Sequence, residues 1–424
     1  MASASSPDPS TSPAAPVRAP RGRSGWLLRP YEWALLGSIL VVLAVTAFAD
    51  SNHAYLRNPS QCLKDNLRNL APITMLALGA TVVIIAGGID LSLGSTAAFC
   101  ATVFVSLTIV LSPEAGGTAD PSRGMPAWII ATACGGAVLA GLMVGTLHTW
   151  LIVALRLPPF IVTLGSLVGL RSFARAIMLW VTRSPDNRTG SEEKQVNNPF
   201  IGYLATHIEV SVIVMLVLAL VIWLIMSRTV LGRHIYALGG NEQAAILSGI
   251  RTNNVKWFVY SFSGFAAGIA GIFYVAKQFS VTPSTMAGGH ELNAIAAAVV
   301  GGCSLQGGAG TIIGTLLGAV FLQAVVDAVS RIVKASSNIY EGLIVGIVVV
   351  LAVTVSQLNQ ILRGRRLFEG WLGLTAIPIL SLAGGILGLI TAGRSAGLIV
   401  GGTVLVLLTL ACGLEATRAR RAGA

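Results

Sequence analysis

Charge is scarce in this sequence. Asp, Glu, Lys and Arg make up only 11% of the 424 residues, against 54% hydrophobic ones. A soluble domain carries about a quarter charged residues, so this chain cannot cover a water-facing surface, and a soluble enzyme is excluded. Cysteine is equally sparse. Cys62, Cys100, Cys134, Cys303 and Cys412 are odd in number, far apart and mostly inside apolar segments. They form neither a disulfide framework nor a metal spacing. No GxxxxGK[ST] occurs, so the chain lacks the phosphate loop needed to draw on ATP by itself. The histidines, His53, His148, His207, His234 and His290, read as lying near span ends or in loops. None of them pairs with a Ser or Cys at a recognisable spacing, so no intramembrane hydrolase is expected, and no cofactor or metal either.

The formal charge is +11, from 28 basic and 17 acidic residues. The bases fall in short gaps between apolar runs and form no basic face alternating with aromatics. This is the positive-inside pattern of a membrane protein and not a nucleic-acid surface. A spanning helix needs about 20 apolar residues. Candidate spans are 33–49, 69–87, 91–111, 127–147, 159–181, 208–226, 256–276, 291–303, 310–330, 339–361, 371–391 and 396–413. The expected fold is an all-α polytopic membrane protein of about ten to twelve spans. Residues 1–28 read as a disordered, Ala/Ser/Pro-rich cytoplasmic tail, 29–361 as a transmembrane domain, and 362–424 as an extension with two more spans. The first span lacks a small-residue cleavage site and is read as uncleaved.

The basic clusters are Arg18 to Arg29, Arg228 to Lys256, Arg363 to Arg366 and Arg418 to Arg421. Counting spans puts all four on one side, which predicts a multi-pass protein of the cell (inner) membrane with both termini cytoplasmic. The connections 50–68, 112–126, 182–207 and 277–290 then share the other side.

Two glycine-rich breaks interrupt the apolar runs. One runs from Ala86 to Ser95 through Gly87, Gly88, Asp90 and Ser92; the other runs from Val300 to Gly310 through Gly301, Gly302 and Ser304. Each has Gly-Gly after an apolar helix, a few polar residues, and a further glycine before a new helix. Such breaks at corresponding places in two halves point to a transport pathway, because unpaired backbone at membrane depth is tolerated only beside protein or a watery cavity. The symmetry type of this weak repeat stays open. Gly88 reads as a position where the backbone needs freedom or a close neighbour. Asp90 and Ser92 suit the cap of the following helix, and Asp90 is either only a cap or a functional carboxylate. Arg171 with Arg175, and Asp327 with Arg331, are four residues apart and share helix faces. They either snorkel to the interface or line and pack the bundle.

On the basic side, Gly239-Gly240-Asn241 reads as a turn and N-cap. Glu242 to Leu247, with Ala244 and Ala245, reads as a short helix that Gly249 ends. Four blocks together resemble the permease subunits of ribose- and xylose-type ABC importers: Gly87 to Ser95, Pro158 to Gly165, Gly232 to Ile250, and Glu291 to Gly314. The likeness covers about residues 30–360.

The resemblance implies that Gly239, Gly240, Asn241, Glu242, Ala244, Ala245 and Gly249 form the segment coupling to an ATP-binding subunit. In that setting Ala244 and Ala245 are expected against the partner, and Glu242 at its rim. It implies a translocation pathway near Gly87, Gly88, Asp90, Ser92, Ser95, Gly301, Gly302 and Ser304. It also implies a permease homodimer in lipid, an extracytoplasmic sugar-binding protein, and a monosaccharide as cargo. The rival expectation is an ion-coupled secondary transporter of a small polar solute, which favours paired acidic residues within spans.

Overall fold

The computed structural model describes residues 30–112, 125–183, 188–196 and 198–333, together with Gly346 and Ser381. The tail 1–28, the extension 362–424 and the candidate spans 339–361, 371–391 and 396–413 lie outside these residues, apart from the two single positions. The described chain forms α1 (Pro30–Ala49), α2 (Ala54–Arg57), α3 (Pro59–Ile85), α4 (Leu93–Val110), α5 (Ala127–Ala154) and α6 (Pro159–Val181). Next come β1 (Lys194–Gln195), α7 (Pro199–Thr206), α8 (Ile208–Arg228), α9 (Val230–Gly240), α10 (Glu242–Leu247) and α11 (Thr252–Gln278). Last are β2 (Ser280–Val281), α12 (His290–Val300) and α13 (Ile312–Val333).

Eight of these helices, α1, α3, α4, α5, α6, α8, α11 and α13, are long and apolar enough to cross a membrane. The chain is an all-α polytopic membrane protein. One expected span is corrected. The 291–303 segment forms α12, which has 11 residues; that is about 16 Å at 1.5 Å per residue, roughly half the hydrocarbon core. Three other limits move outward, because α3 begins at Pro59, α5 runs on to Ala154 and α11 begins at Thr252. Polar residues fill the added turns of α3 and α11, where a hydropathy window stops. The added α5 stretch instead continues apolar from Trp150 to Ala154, beyond His148 and Thr149.

Burial separates centre from rim. The apolar windows of α3 and α11 are 83% buried, while those of α1 and α6 are 17% buried and face outward. Between helices in lipid, apolar side chains gain little over lipid tails, so close backbone packing decides which helices meet. The seam of α5 and α11 follows this rule. It opposes Gly141 and Gly145 to Gly264 and Gly268, two pairs spaced four apart. A Cβ on Gly264 would strike the Gly141 carbonyl, and one on Gly145 the Tyr260 carbonyl. A Cβ on Gly268 would lie 3.0 Å from the Ala137 carbonyl oxygen.

The connections sort onto two faces. On the outer face the Arg68 guanidinium donates to the Ala205 carbonyl (3.0 Å), and Asn198 Nδ2 lies 3.3 Å from Met125 Sδ. There β1 pairs antiparallel with β2, Lys194 opposite Val281. The Tyr55 hydroxyl donates to Asp327 Oδ2 (2.6 Å), which also accepts from Arg331 Nε (2.7 Å). The described parts of the four connections 50–68, 112–126, 182–207 and 277–290 thus gather together. On the inner face the Thr311 hydroxyl donates to Glu32 Oε1 (2.7 Å), joining the start of α1 to the second break. The basic stretch from Arg228 to Lys256 belongs to this inner face.

Candidate functional site

Both breaks begin with the same backbone device. After α3, the Gly87 N–H donates to the Ile84 carbonyl and the Gly88 N–H to the Val83 carbonyl, each 2.9 Å. After α12, the Gly302 N–H donates to Val299 and the Cys303 N–H to Ala298, again 2.9 Å each. Gly87 has φ 83° and Gly302 φ 88°. These are two Schellman ends, each with its glycine in the left-handed region. The repeat seen in the sequence is therefore a repeat of helix termination, and both ends lie on the inner face.

There the two breaks and the α9 end meet backbone to backbone. The Gly308 N–H donates to the Ile85 carbonyl (2.8 Å), the last residue of α3. A Cβ on Gly239 would strike that same carbonyl and lie 2.6 Å from Gly308 N. A Cβ on Gly307 would lie 2.6 Å from the Gly239 oxygen and 2.8 Å from Gly87 Cα. One on Gly308 would lie 2.8 Å from Gly240 Cα. The Tyr236 hydroxyl, one turn back on α9, donates to the Gly310 carbonyl (2.9 Å). Three motifs far apart in sequence thus form one glycine junction.

From this junction the chain climbs back into the bundle towards α4. Gly88 is pressed between Tyr260 and Val83, where a Cβ would strike the Tyr260 hydroxyl. Asp90 is 4% exposed. Its Oδ1 accepts from the Ser92 N–H (2.9 Å) and the Ser92 hydroxyl (2.6 Å), and its Oδ2 from the Ser263 hydroxyl on α11 (2.6 Å). Ser92 occupies the N-cap position of α4, but its side chain makes no capping bond. The expected cap is corrected accordingly: the carboxylate closes a turn onto Ser92 and ties the break to α11, because Ser263 competes for it. The Ser95 hydroxyl donates to the Ser92 and Ser166 carbonyls (2.8 and 3.2 Å). The Thr163 hydroxyl on α6 donates to the Ile89 carbonyl (3.3 Å).

His148 belongs to this buried group. It lies inside α5, is 1% exposed and shares a 2.8 Å hydrogen bond with the Ser166 hydroxyl, which corrects its expected place near a span end. Ser263, Ser166, Thr163, Tyr260 and His148 are site residues that sequence reasoning missed. A lone hydroxyl in an apolar helix carries no signal until the helix opposite is known. Asp90→Ala is expected to lower the thermal midpoint of the purified protein more than Ser263→Ala does. The first orphans three buried donors, each costing about 1–3 kcal/mol, and the second only removes one donor from a carboxylate that keeps two. Equal midpoints would mean that the Asp90 bonds carry no stability.

The inner segment follows its sequence reading closely. Asn241 caps α10, its side chain accepting from the Ala244 N–H (3.0 Å). Gly249, at φ 79°, ends it with the Ile250 N–H on the Ala245 carbonyl (3.1 Å). Gly239 and Gly240 are the last residues of α9 and not a free turn. One expectation is corrected. Ala245 is 3% exposed and faces its own chain, so it does not lie open to a partner. Glu242 accepts from Lys256 Nζ on α11 (2.6 Å), and its side chain stays 42% exposed. The side chains that α10 exposes are Gln243, Ala244 and two large apolar ones, Ile246, 48% exposed, and Leu247, 88% exposed.

Other residues lie apart from this centre. Gly301 packs on Gly314, Gly302 lies against the Tyr31 ring, and the Ser304 N–H closes an inner-face turn onto Ala309 (3.0 Å). Arg171 turns inward and donates from Nη1 to the carbonyls of Met286 (3.0 Å), Ser284 (3.3 Å) and Pro283 (3.4 Å). It pins the loop before α12, whereas Arg175 pairs with Glu192 in the outer connection.

A helical membrane bundle whose broken helices meet a capped inner-face segment is built as a transport component. The family described as "branched-chain amino acid transport system / permease component" matches residues 63–353, and this chain belongs to it. It is 33% identical over 335 residues to the ribose import permease protein of Escherichia coli strain K12, covering 79% of this chain and 95% of that one. The ribose import permease protein of Haemophilus influenzae strain Rd is 31% identical over 300 residues, 70% of this chain and 86% of that one. The autoinducer 2 import system permease protein of Yersinia pestis strain Pestoides F is 32% identical over 304 residues, 70% of this chain and 77% of that one. No solved structure matches the chain. The chain is the permease subunit of an ABC importer, a multi-pass protein of the inner membrane, and such a subunit works with an ATP-binding subunit and a substrate-binding protein. The ion-coupled carrier has no support among these relatives.

Proposed function

We propose that this chain forms the translocation pathway for a monosaccharide and takes its drive from a separate ATP-binding subunit through residues 239–249. The observation that carries the coupling half is the glycine junction, where Gly239 touches both the end of α3 and the second break. A push on α10 reaches Gly239 through the two-helix unit α9–α10. With no side chains at the junction to bend, the displacement passes to the Ile85 carbonyl and to Gly308 as backbone movement. The pathway then runs beside the segment Gly87 to Ser95, with Gly301, Gly302 and Ser304 shaping the second break. The cargo is read from the relatives, two of which carry ribose in their names and align along most of their own length.

In this reading the inner face is cytoplasmic, because Arg228, Arg233, Arg251 and Lys256 lie there. The tail 1–28 and both termini share that side, and 362–424 is an extension to the permease domain. The chain performs no catalysis of its own; hydrolysis belongs to the partner. Two copies pair in the lipid, and the outer connections receive the extracytoplasmic sugar-binding protein.

Leu247 offers the sharper test of docking. Ala245→Trp would dislodge α10 from its own chain, so a failure there would not speak of the partner. Leu247 touches nothing that it would disturb. Leu247→Asp is expected to cut sugar-stimulated ATP hydrolysis and uptake by about tenfold or more, the size of a lost apolar anchor, with membrane insertion unchanged. Normal co-purification with the ATP-binding subunit and normal uptake would refute the coupling assignment.

A further inference from the structure

A cleft of about 800 Å³ opens on the inner face, between the α5–α6 connection, α10 and the start of α11. Its size lies within the roughly 300–1,000 Å³ of small-molecule sites. Tyr260 and Gly88 line one part of it, Glu242 and Gln243 of α10 another, and Asn253 and Lys256 of α11 a third. Tyr260 is 3% exposed, yet its hydroxyl has no hydrogen-bond partner among the described residues. A buried hydroxyl left unpaired costs about 1–3 kcal/mol, so its retention points to a partner absent from the protein itself. Glu242 and Lys256 are paired with each other, and Arg156 of the lining is exposed. Besides Arg156 the remaining polar groups are two amides, the Thr252 hydroxyl and a phenol, all four of which both donate and accept. That set fits a neutral polyol better than an ion.

We infer that this cleft is an inner subsite for the sugar, with the Tyr260 hydroxyl as its buried hydrogen-bonding group. The inference rests on the monosaccharide reading above and adds a place to it. A sugar held here touches Glu242 and Gln243, so α10 meets the cargo on one face and presents Leu247 outward on another. Occupancy of the cleft is thereby felt by the same short helix that docks the ATP-binding subunit.

Cysteine protection tests the site. Asn253→Cys in the full-length chain, held in nanodiscs, is labelled with a maleimide, and labelling of the unsubstituted chain is subtracted. D-Ribose at about ten times its dissociation constant should slow labelling about tenfold, by simple occupancy. Adding Tyr260→Phe should leave labelling without sugar unchanged and raise the protecting concentration about fivefold, the loss of one hydrogen bond. Protection by ribose 5-phosphate but not by ribose, xylose or glucose overturns the neutral-polyol site, as does protection unaffected by Tyr260→Phe. Uptake by the wild-type chain with its partners is measured in parallel. Sugar uptake without protection defeats the subsite alone, and absence of uptake for every pentose and hexose defeats the monosaccharide reading.

Discussion

Gly239→Ala is expected to reduce uptake by at least about tenfold, while Gly240→Ala next to it stays within about twofold of wild type. Helix propensity alone gives the opposite expectation for the first, since alanine at the end of α9 is favoured over glycine by about 1 kcal/mol at either position. Tertiary space separates them. A Cβ at 239 meets the Ile85 carbonyl and the Gly308 nitrogen, both backbone atoms that cannot rotate away, and a Cβ at 240 has nothing within 4 Å. Overpacking of this kind costs about 1–3 kcal/mol, and here the cost falls on the contact joining α9 to both breaks. The Gly308–Ile85 hydrogen bond must lengthen or α9 must lift. Uptake with both variants, each compared with its amount in the membrane, checks the result. Equal uptake by the two would mean that the junction transmits nothing.

Gly264→Leu is expected to abolish the folded protein, read as loss of the monodisperse peak on size-exclusion chromatography in detergent. The substitution sets a four-carbon side chain against the Gly141 carbonyl, in a seam where the glycines of each helix meet the backbone of the other directly. α5 and α11 then separate by the width of a side chain. Gly145 and Gly268 lose their contacts with them, because the whole seam is held at one spacing. Gly135→Leu on α5 is the matched control. Nothing lies within 4 Å of its Cβ position, so the added side chain enters the surroundings and the peak should remain. A normal peak for Gly264→Leu would show that the α5–α11 approach is not required for folding.

These pairs mark where reading the chain succeeds. Asn241, the run Glu242 to Leu247 and Gly249 were legible as cap, helix and stop, because capping is settled within four residues of chain. Gly87 and Gly302 were legible as breaks for the same local reason. The faces of α10 were not legible. Six residues give less than two turns, and Ala245 turns inward only because α9 and α11 lie beneath it. Asp90 was recognised as costly at membrane depth, but its tie to Ser263 joins positions 173 residues apart.

The sequence by itself determined that this chain enters a membrane, which segments are apolar, where its helices break and which face is basic. All of these follow from composition and from interactions within one turn of helix. Only the tertiary structure decided that α3 and α11 form the centre, that α12 begins no earlier than His290 and so has only 11 residues, and that Gly87, Gly239, Gly307 and Gly308 meet. A helix that is apolar all round has no hydrophobic stripe to announce its neighbour. In lipid the choice of neighbour is made by how closely two backbones can approach, and that distance exists only once both helices are in place.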